Sequence, residues 1–115
     1  MTKILNGIVT IMVSNMDAAI AFYTGTLGFT LKNRYGGHWA DIEAPGLSIG
    51  LHPASREMIR GENLQIGLSV PDLTKAMAEL QEKGVEFSAI QDDNVRLSYF
   101  KDPDGNALYL VQAGW

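Results

Sequence analysis

Residues 8–23, IVTIMVSNMDAAIAFY, return as residues 65–80, QIGLSVPDLTKAMAEL, at a constant offset of 57. Self-similarity at a fixed spacing means that one supersecondary unit has been used twice. Each copy opens on an alternating pattern, Val9, Ile11 and Val13 in the first and Ile66, Leu68 and Val70 in the second, which is the period of a half-buried strand. Asn15 and Asp72 follow at equivalent places, and both are residues whose side-chain oxygen caps a helix N-terminus. Pro71 supports the second boundary. Apolar residues then fall at helical spacing, Met16, Ala19, Ile20, Tyr23 and Leu27 in one copy and Leu73, Ala76, Met77 and Leu80 in the other. Gly28 and Gly84 supply the stops.

Beyond each glycine the pattern predicts strands again. In the first copy they fall at Phe29–Leu31, near Tyr35–Glu43 and at Leu47–His52. In the second they fall at Val85–Phe87, near Val95–Lys101 and at Leu108–Gln112. Asp102-Pro103-Asp104-Gly105-Asn106 is a hairpin turn by composition, and Ala44-Pro45-Gly46 is its counterpart. The fold class expected is therefore α+β, built from two tandem βαβββ modules whose curved mixed sheets surround a cavity. Module 1 covers about residues 5–52, a charged aperiodic linker residues 53–63, and module 2 about residues 64–113 of a single domain, 1–115. Modules of this size bury little core alone, so they are expected to pack together or against a partner chain.

Composition narrows the function. Of 115 residues 46% are hydrophobic and 19% charged, the profile of a soluble globular domain. No apolar run is long enough to span a bilayer and the N-terminus lacks a secretory pattern, so no membrane partner is expected. With no cysteine there is no disulfide framework or thiol chemistry, and a cytoplasmic setting is the default. Nine scattered Lys and Arg within a net charge of −4 leave no footprint for a phosphate backbone, which excludes nucleic acid. Phosphate-cradle, dinucleotide and serine-elbow motifs are absent, and Asp92-Asp93 reads as a solvated turn.

The doubled βαβββ pattern, with Ala21-Phe22-Tyr23, Leu27-Gly28-Phe29 and the late Asp-Pro-Asp-Gly-Asn turn, resembles the vicinal oxygen chelate superfamily over nearly the whole chain. That superfamily includes glyoxalase I, extradiol dioxygenases, fosfomycin-inactivating enzymes and bleomycin-resistance proteins, which sequester a drug without metal. The resemblance implies four metal-ligand positions, on the first and last strand of each module. Here they hold Ile8, Gly50, Gln65 and Tyr109. Ile and Gly offer no donor atom, Gln is a weak neutral one, and a phenol titrates near pH 10. A divalent cation requires several N or O ligands together, so no metal and no cofactor are expected.

What remains is a surface for an organic ligand. Alternation puts Ile8, Thr10 and Met12, Ser48, Gly50 and His52, Gln65, Gly67 and Ser69, and Ala107, Tyr109 and Val111 on the faces turned away from the helices. Trp39, with Asp41 and Glu43 on its strand face, is read either as a wall that stacks a planar or cationic group or as a core residue after a hairpin turn. Trp115 is read as frayed or as part of a dimer interface. The expected ligand-binding residues are Trp39, His52, Gln65 and Tyr109. The expected function is metal-independent binding of a small, partly aromatic or cationic molecule by a homodimer, in the manner of the drug-sequestering branch. The alternatives are a metal-independent or unusually liganded lyase or isomerase of the glyoxalase type using His52 and Tyr109, and a structural or protein-interaction role.

Overall fold

The computed structural model describes residues 2–54, 64–88 and 97–112. It is an α+β fold, with strands in two mixed sheets, and the chain divides into two compact units, Met1–Met58 and Ile59–Trp115. The expected linker core at 55–63 and Trp115 lie outside the described residues, as does the Asp92-Asp93 turn.

Unit 1 runs β1 (Val9–Val13), helix α1 (Met16–Ile20), which continues as a π-helical stretch (Ala21–Thr26), then β2 (Thr30–Tyr35), β3 (Trp39–Ala44) and β4 (Leu47–Pro53). The Asn15 side chain accepts from the Ala18 amide at 3.0 Å, the capping role assigned to it from sequence. The helix widens where Leu27 N–H donates to the Phe22 carbonyl, five residues back. Strand order is β1-β4-β3-β2, with β1 parallel to β4 and the other pairs antiparallel. The core lies between α1 and one face of this sheet: Met16, Ala19, Ile20 and Tyr23 pack with Ile11, Val13, Ala40, Ile42, Ile49 and Leu51, all buried.

Two details differ from the sequence expectation. The stretch near Tyr35–Glu43 is not one strand. Tyr35 ends β2, residues 36–38 turn with His38 N–H on the Tyr35 carbonyl, and Trp39 begins β3. The first strand after the helix is accordingly longer than Phe29–Leu31, reaching Tyr35 as an edge strand exposed throughout. A register shift between Leu31 and Asn33, and the charges Lys32 and Arg34, keep that edge from pairing further.

Unit 2 repeats the plan with β5 (Ile66–Val70), α2 (Leu73–Glu82), β6 (Leu97–Lys101) and β7 (Ala107–Gln112), in sheet order β5-β7-β6 with β5 parallel to β7. Asp72 caps α2 through the Lys75 amide at 3.1 Å. The strand expected at Val85–Phe87 does not form. Val85 N–H turns back to the Leu80 carbonyl to close the helix, and the sheet is first met at the isolated Ser88–Tyr99 bridge. Phe87 instead packs against Phe100, ring centroids 5.4 Å apart. Val111, placed by alternation on the side of Tyr109, is buried.

The β6–β7 turn is organised by one buried carboxylate. Asp102 Oδ1 accepts from the amides of Asp104 and Asn106 at 2.9 and 2.8 Å, and Oδ2 accepts from Asn106 Nδ2 at 2.8 Å. Asp102→Ala leaves those donors without their acceptor and is expected to lower unfolding stability by about 1–3 kcal/mol. Urea denaturation followed by circular dichroism checks this, and an unchanged midpoint would contradict it.

Candidate functional site

The sheet face away from α1 carries the unit 1 candidates. Strand pairing places Thr10, Gly50, Asp41 and Asn33 in one row across all four strands. Trp39 opens β3 beside this row, and its indole lies over Gly50. A Cβ built on Gly50 would fall inside the van der Waals envelope of Trp39 Cη2 and Cζ2, with Cε2 at 3.2 Å. The ring therefore rests on bare backbone, which only glycine permits. This explains why Gly50 is buried although its face carries polar residues.

Polar contacts fix the indole in plane. Trp39 Nε1–H donates to Asp41 Oδ1 at 2.6 Å, and Asn33 Nδ2 donates to Asp41 Oδ2 at 3.5 Å. The His52 ring meets Trp39 edge-on, centroids 6.2 Å apart and planes at 70°. His52 Nδ1 lies 2.8 Å from the Pro53 carbonyl, which can only accept, so a hydrogen bond there uses Nδ1–H as its donor and turns Nε2 away from it.

The two basic side chains of β2 pair with other carboxylates. Lys32 pairs with Glu43 at 3.7 Å, and Arg34 donates to Asp17 at 2.6 Å and to the Gly36 carbonyl at 2.8 Å. The cross-strand neighbour of Asp41 is the neutral Asn33. Among the described residues, no basic side chain forms an ion pair with Asp41. A half-buried carboxylate whose donors among the described residues are neutral, beside an indole face, presents a favourable place for a cation.

In unit 2 the Tyr109 ring covers Gly67 on the neighbouring strand. A Cβ there would collide with Tyr109 Cζ, Oη and Cε2. Tyr109 is opposite Gly67 on one side and Tyr99 on the other, and the tyrosine rings are 5.4 Å apart at 58°. Gln65 is half-buried just before β5.

Of the residues expected to bind a ligand, Trp39 and His52 meet on one face of unit 1, while Gln65 and Tyr109 belong to unit 2. Trp39 is neither a core residue nor free-standing, since it is half-buried on Gly50. Asn33 and Tyr99 were not singled out from sequence. Tyr99 was within reach, because the hairpin around Asp102–Asn106 pairs it with Tyr109.

The parallel registers relate the last strands of the two units to their first strands in the same way. Gly50 faces Thr10 and Tyr109 faces Gly67, and Thr10 and Gly67 are themselves related by the repeat offset. These positions do not fit a divalent cation. Ile8 is an exposed alkyl chain (49%), Gly50 lies beneath an indole, and Tyr109 folds its phenol onto Gly67. Gln65 alone contributes a carboxamide. Among the described residues, no group of three or more His, Cys, Asp or Glu is placed to hold a metal ion.

The fold and this face define a class. Residues 6–110 match the family model of the Glyoxalase/Bleomycin resistance protein/Dioxygenase superfamily, and the chain belongs to that superfamily. A sequence relative is YurT, an uncharacterised protein of Bacillus subtilis (strain 168), 30% identical and covering 91% of this chain and 96% of its own. Among solved structures, the antibiotic binding protein TnmS3 from Streptomyces sp. CB03234 is 26% identical with a TM-score of 0.72, covering 98% of this chain and 100% of its own. The fosfomycin resistance protein FosX of Listeria monocytogenes shares the fold at 18% identity and a TM-score of 0.81, over 99% of this chain and 94% of its own. No helix among the described residues is long and apolar enough to cross a membrane.

Gly50→Ala tests the Trp39 seat. In a Trp115→Phe background, where Trp39 is the sole indole, the substitution is expected to lift the ring, red-shift its emission and cost about 1–3 kcal/mol in stability. An unchanged spectrum and stability would show that the ring does not rest on Gly50.

Proposed function

We propose that this protein binds a small, partly aromatic cationic molecule without a metal ion, stacking its planar group at Trp39 and placing its positive charge beside Asp41. One observation carries the reading. At the position where the enzymes of this superfamily are expected to hold a carboxylate ligand, this chain has Gly50 with the Trp39 indole laid over it. A site rebuilt in this way exchanges a metal ligand for an aromatic surface. The charge of Asp41, balanced by neither Lys32 nor Arg34, adds a preference for cations. Likeness to an antibiotic binding protein at 26% identity supports a binding role of this kind. The working form in this reading is a cytoplasmic homodimer, whose interface would cover exposed apolar side chains such as Ile4 and Leu5.

A second reading rests on His52, whose Nδ1–H is held by the Pro53 carbonyl, leaving Nε2 as a general-base candidate next to Trp39. Under that reading His52→Ala abolishes turnover of a bound substrate and leaves its affinity unchanged. Under the binding reading no turnover exists to lose.

N-methylacridinium, a planar cation, is a direct probe. It is expected to quench Trp39 emission saturably and equally with or without a chelator. Trp39→Ala should abolish the binding. Asp41→Asn, which keeps an acceptor for the indole N–H, should weaken it about tenfold. A stoichiometric divalent ion in the purified protein, with binding lost on chelation, would overturn the proposal.

A further inference from the structure

An asparagine followed by glycine can react with its own backbone, and this chain holds one such pair, Asn6-Gly7, ahead of β1. The other asparagines precede Met16, Arg34, Leu64, Val95 and Ala107, whose side chains crowd the amide nitrogen that would react. Asp104-Gly105 is the corresponding aspartate pair. Residue type therefore leaves two candidates, and their surroundings in the fold are opposite.

Asn6 and Gly7 are both exposed and lie outside the strands and helices, since the pairing of β1 with β4 begins at Val9. Among the described residues, no hydrogen bond holds the Asn6 carboxamide or the Gly7 N–H. A Cβ built on Gly7 would meet nothing within 4 Å, so the backbone here has room to rotate. At Asp104-Gly105 the same chemistry is blocked. Asp104 is 8% exposed, its N–H donates to Asp102 Oδ1 at 2.9 Å, and the Gly105 N–H donates to the Asp102 carbonyl at 3.0 Å. Gly105 is held at a φ of 85°, so neither the nitrogen nor the backbone angle is free.

We propose that Asn6-Gly7 is a site of spontaneous covalent modification, where Asn6 is converted to aspartate and isoaspartate with release of ammonia. The Gly7 nitrogen, once a base removes its proton, attacks Asn6 Cγ. A Cγ–N bond forms, the Cγ–Nδ2 bond breaks, and Nδ2 leaves as ammonia from the resulting cyclic imide. Water then opens the ring. Breaking the new bond gives aspartate, whereas breaking the original peptide bond runs the chain through Cβ and Cγ as isoaspartate. Either product adds a negative charge, because a carboxylate replaces a neutral carboxamide. The change precedes the β1 register and leaves the paired strands as they are. It is independent of the small-molecule reading, and it requires that whatever Ile4 and Leu5 pack against leave Asn6 open.

Peptide mapping by mass spectrometry of the full chain, aged in warm, mildly alkaline buffer, reads the site directly. Conversion is expected in the peptide that holds Asn6, faster at higher pH, and that peptide should accept a methyl group from an isoaspartyl carboxyl methyltransferase. Gly7→Ala should slow conversion about tenfold, because the added Cβ hinders the attacking nitrogen and narrows its backbone angles. Gly7 has room for that methyl group, so the variant keeps the fold. The same ageing in guanidinium chloride separates the effect of structure from that of sequence. Unfolding should change the Asn6 rate by no more than about twofold, and should speed isoaspartate formation at Asp104 about tenfold. An Asn6 that stays intact in the folded chain, or that converts about tenfold faster once unfolded, would overturn the proposal. So would a Gly7→Ala chain that converts as fast as the parent.

Discussion

A parallel strand pair cannot be closed by a tight turn, and both units of this protein are built around one. β1 pairs with β4, and β5 with β7, so in each unit the chain leaves the first strand, crosses through a helix and returns by a hairpin to lie alongside its start. The helix must lie on a face of the sheet, and burying its apolar stripe there commits Ile11, Val13, Ile42, Ile49 and Leu51 to that side in unit 1. Period-two alternation then sends Thr10, Gly50, His52 and Asp41 to the other side. The candidate site is what this division leaves over.

On that remaining face, the smallest side chain decides where the largest goes. Trp39 could not lie across β4 if Gly50 carried even a methyl group, and Tyr109 could not lie across β5 without Gly67. The same device serves both units, but the polar surroundings differ. Asp41 anchors the indole through its N–H and brings a negative charge, whereas Tyr99 stands at the matching place in unit 2 and brings none. A repeated backbone thus carries surfaces of different chemistry, because the repeat constrains the buried face and leaves the open one free to diverge.

Much of this was legible before any coordinates. The caps at Asn15 and Asp72, the stops at Gly28 and Gly84 and the Asp102–Asn106 turn are local signals, each satisfied by hydrogen bonds within a few residues. The missing strand at Val85–Phe87 shows the limit of such signals. Its residue types favour a strand, but a strand requires a partner, and the Val85 amide is used by the helix terminus. The β2–β3 hairpin differs from the expected strand near Tyr35–Glu43 for a related reason, since the registers that flank its turn are set only by pairing.

The amino-acid sequence by itself determined the repeated strand–helix opening and closing hairpin of each unit, the superfamily, and the absence of carboxylate or imidazole at the four implied ligand positions, because these follow from residue identity at fixed spacing. Only the tertiary structure decided that Trp39 lies on Gly50 and is held by Asp41, that Lys32 and Arg34 are occupied by Glu43 and Asp17, and that Tyr99 stands beside Tyr109. The reason is physical. Spacing along a chain sets which face a side chain points to, but contacts across strands depend on register, and register is a property of the assembled sheet.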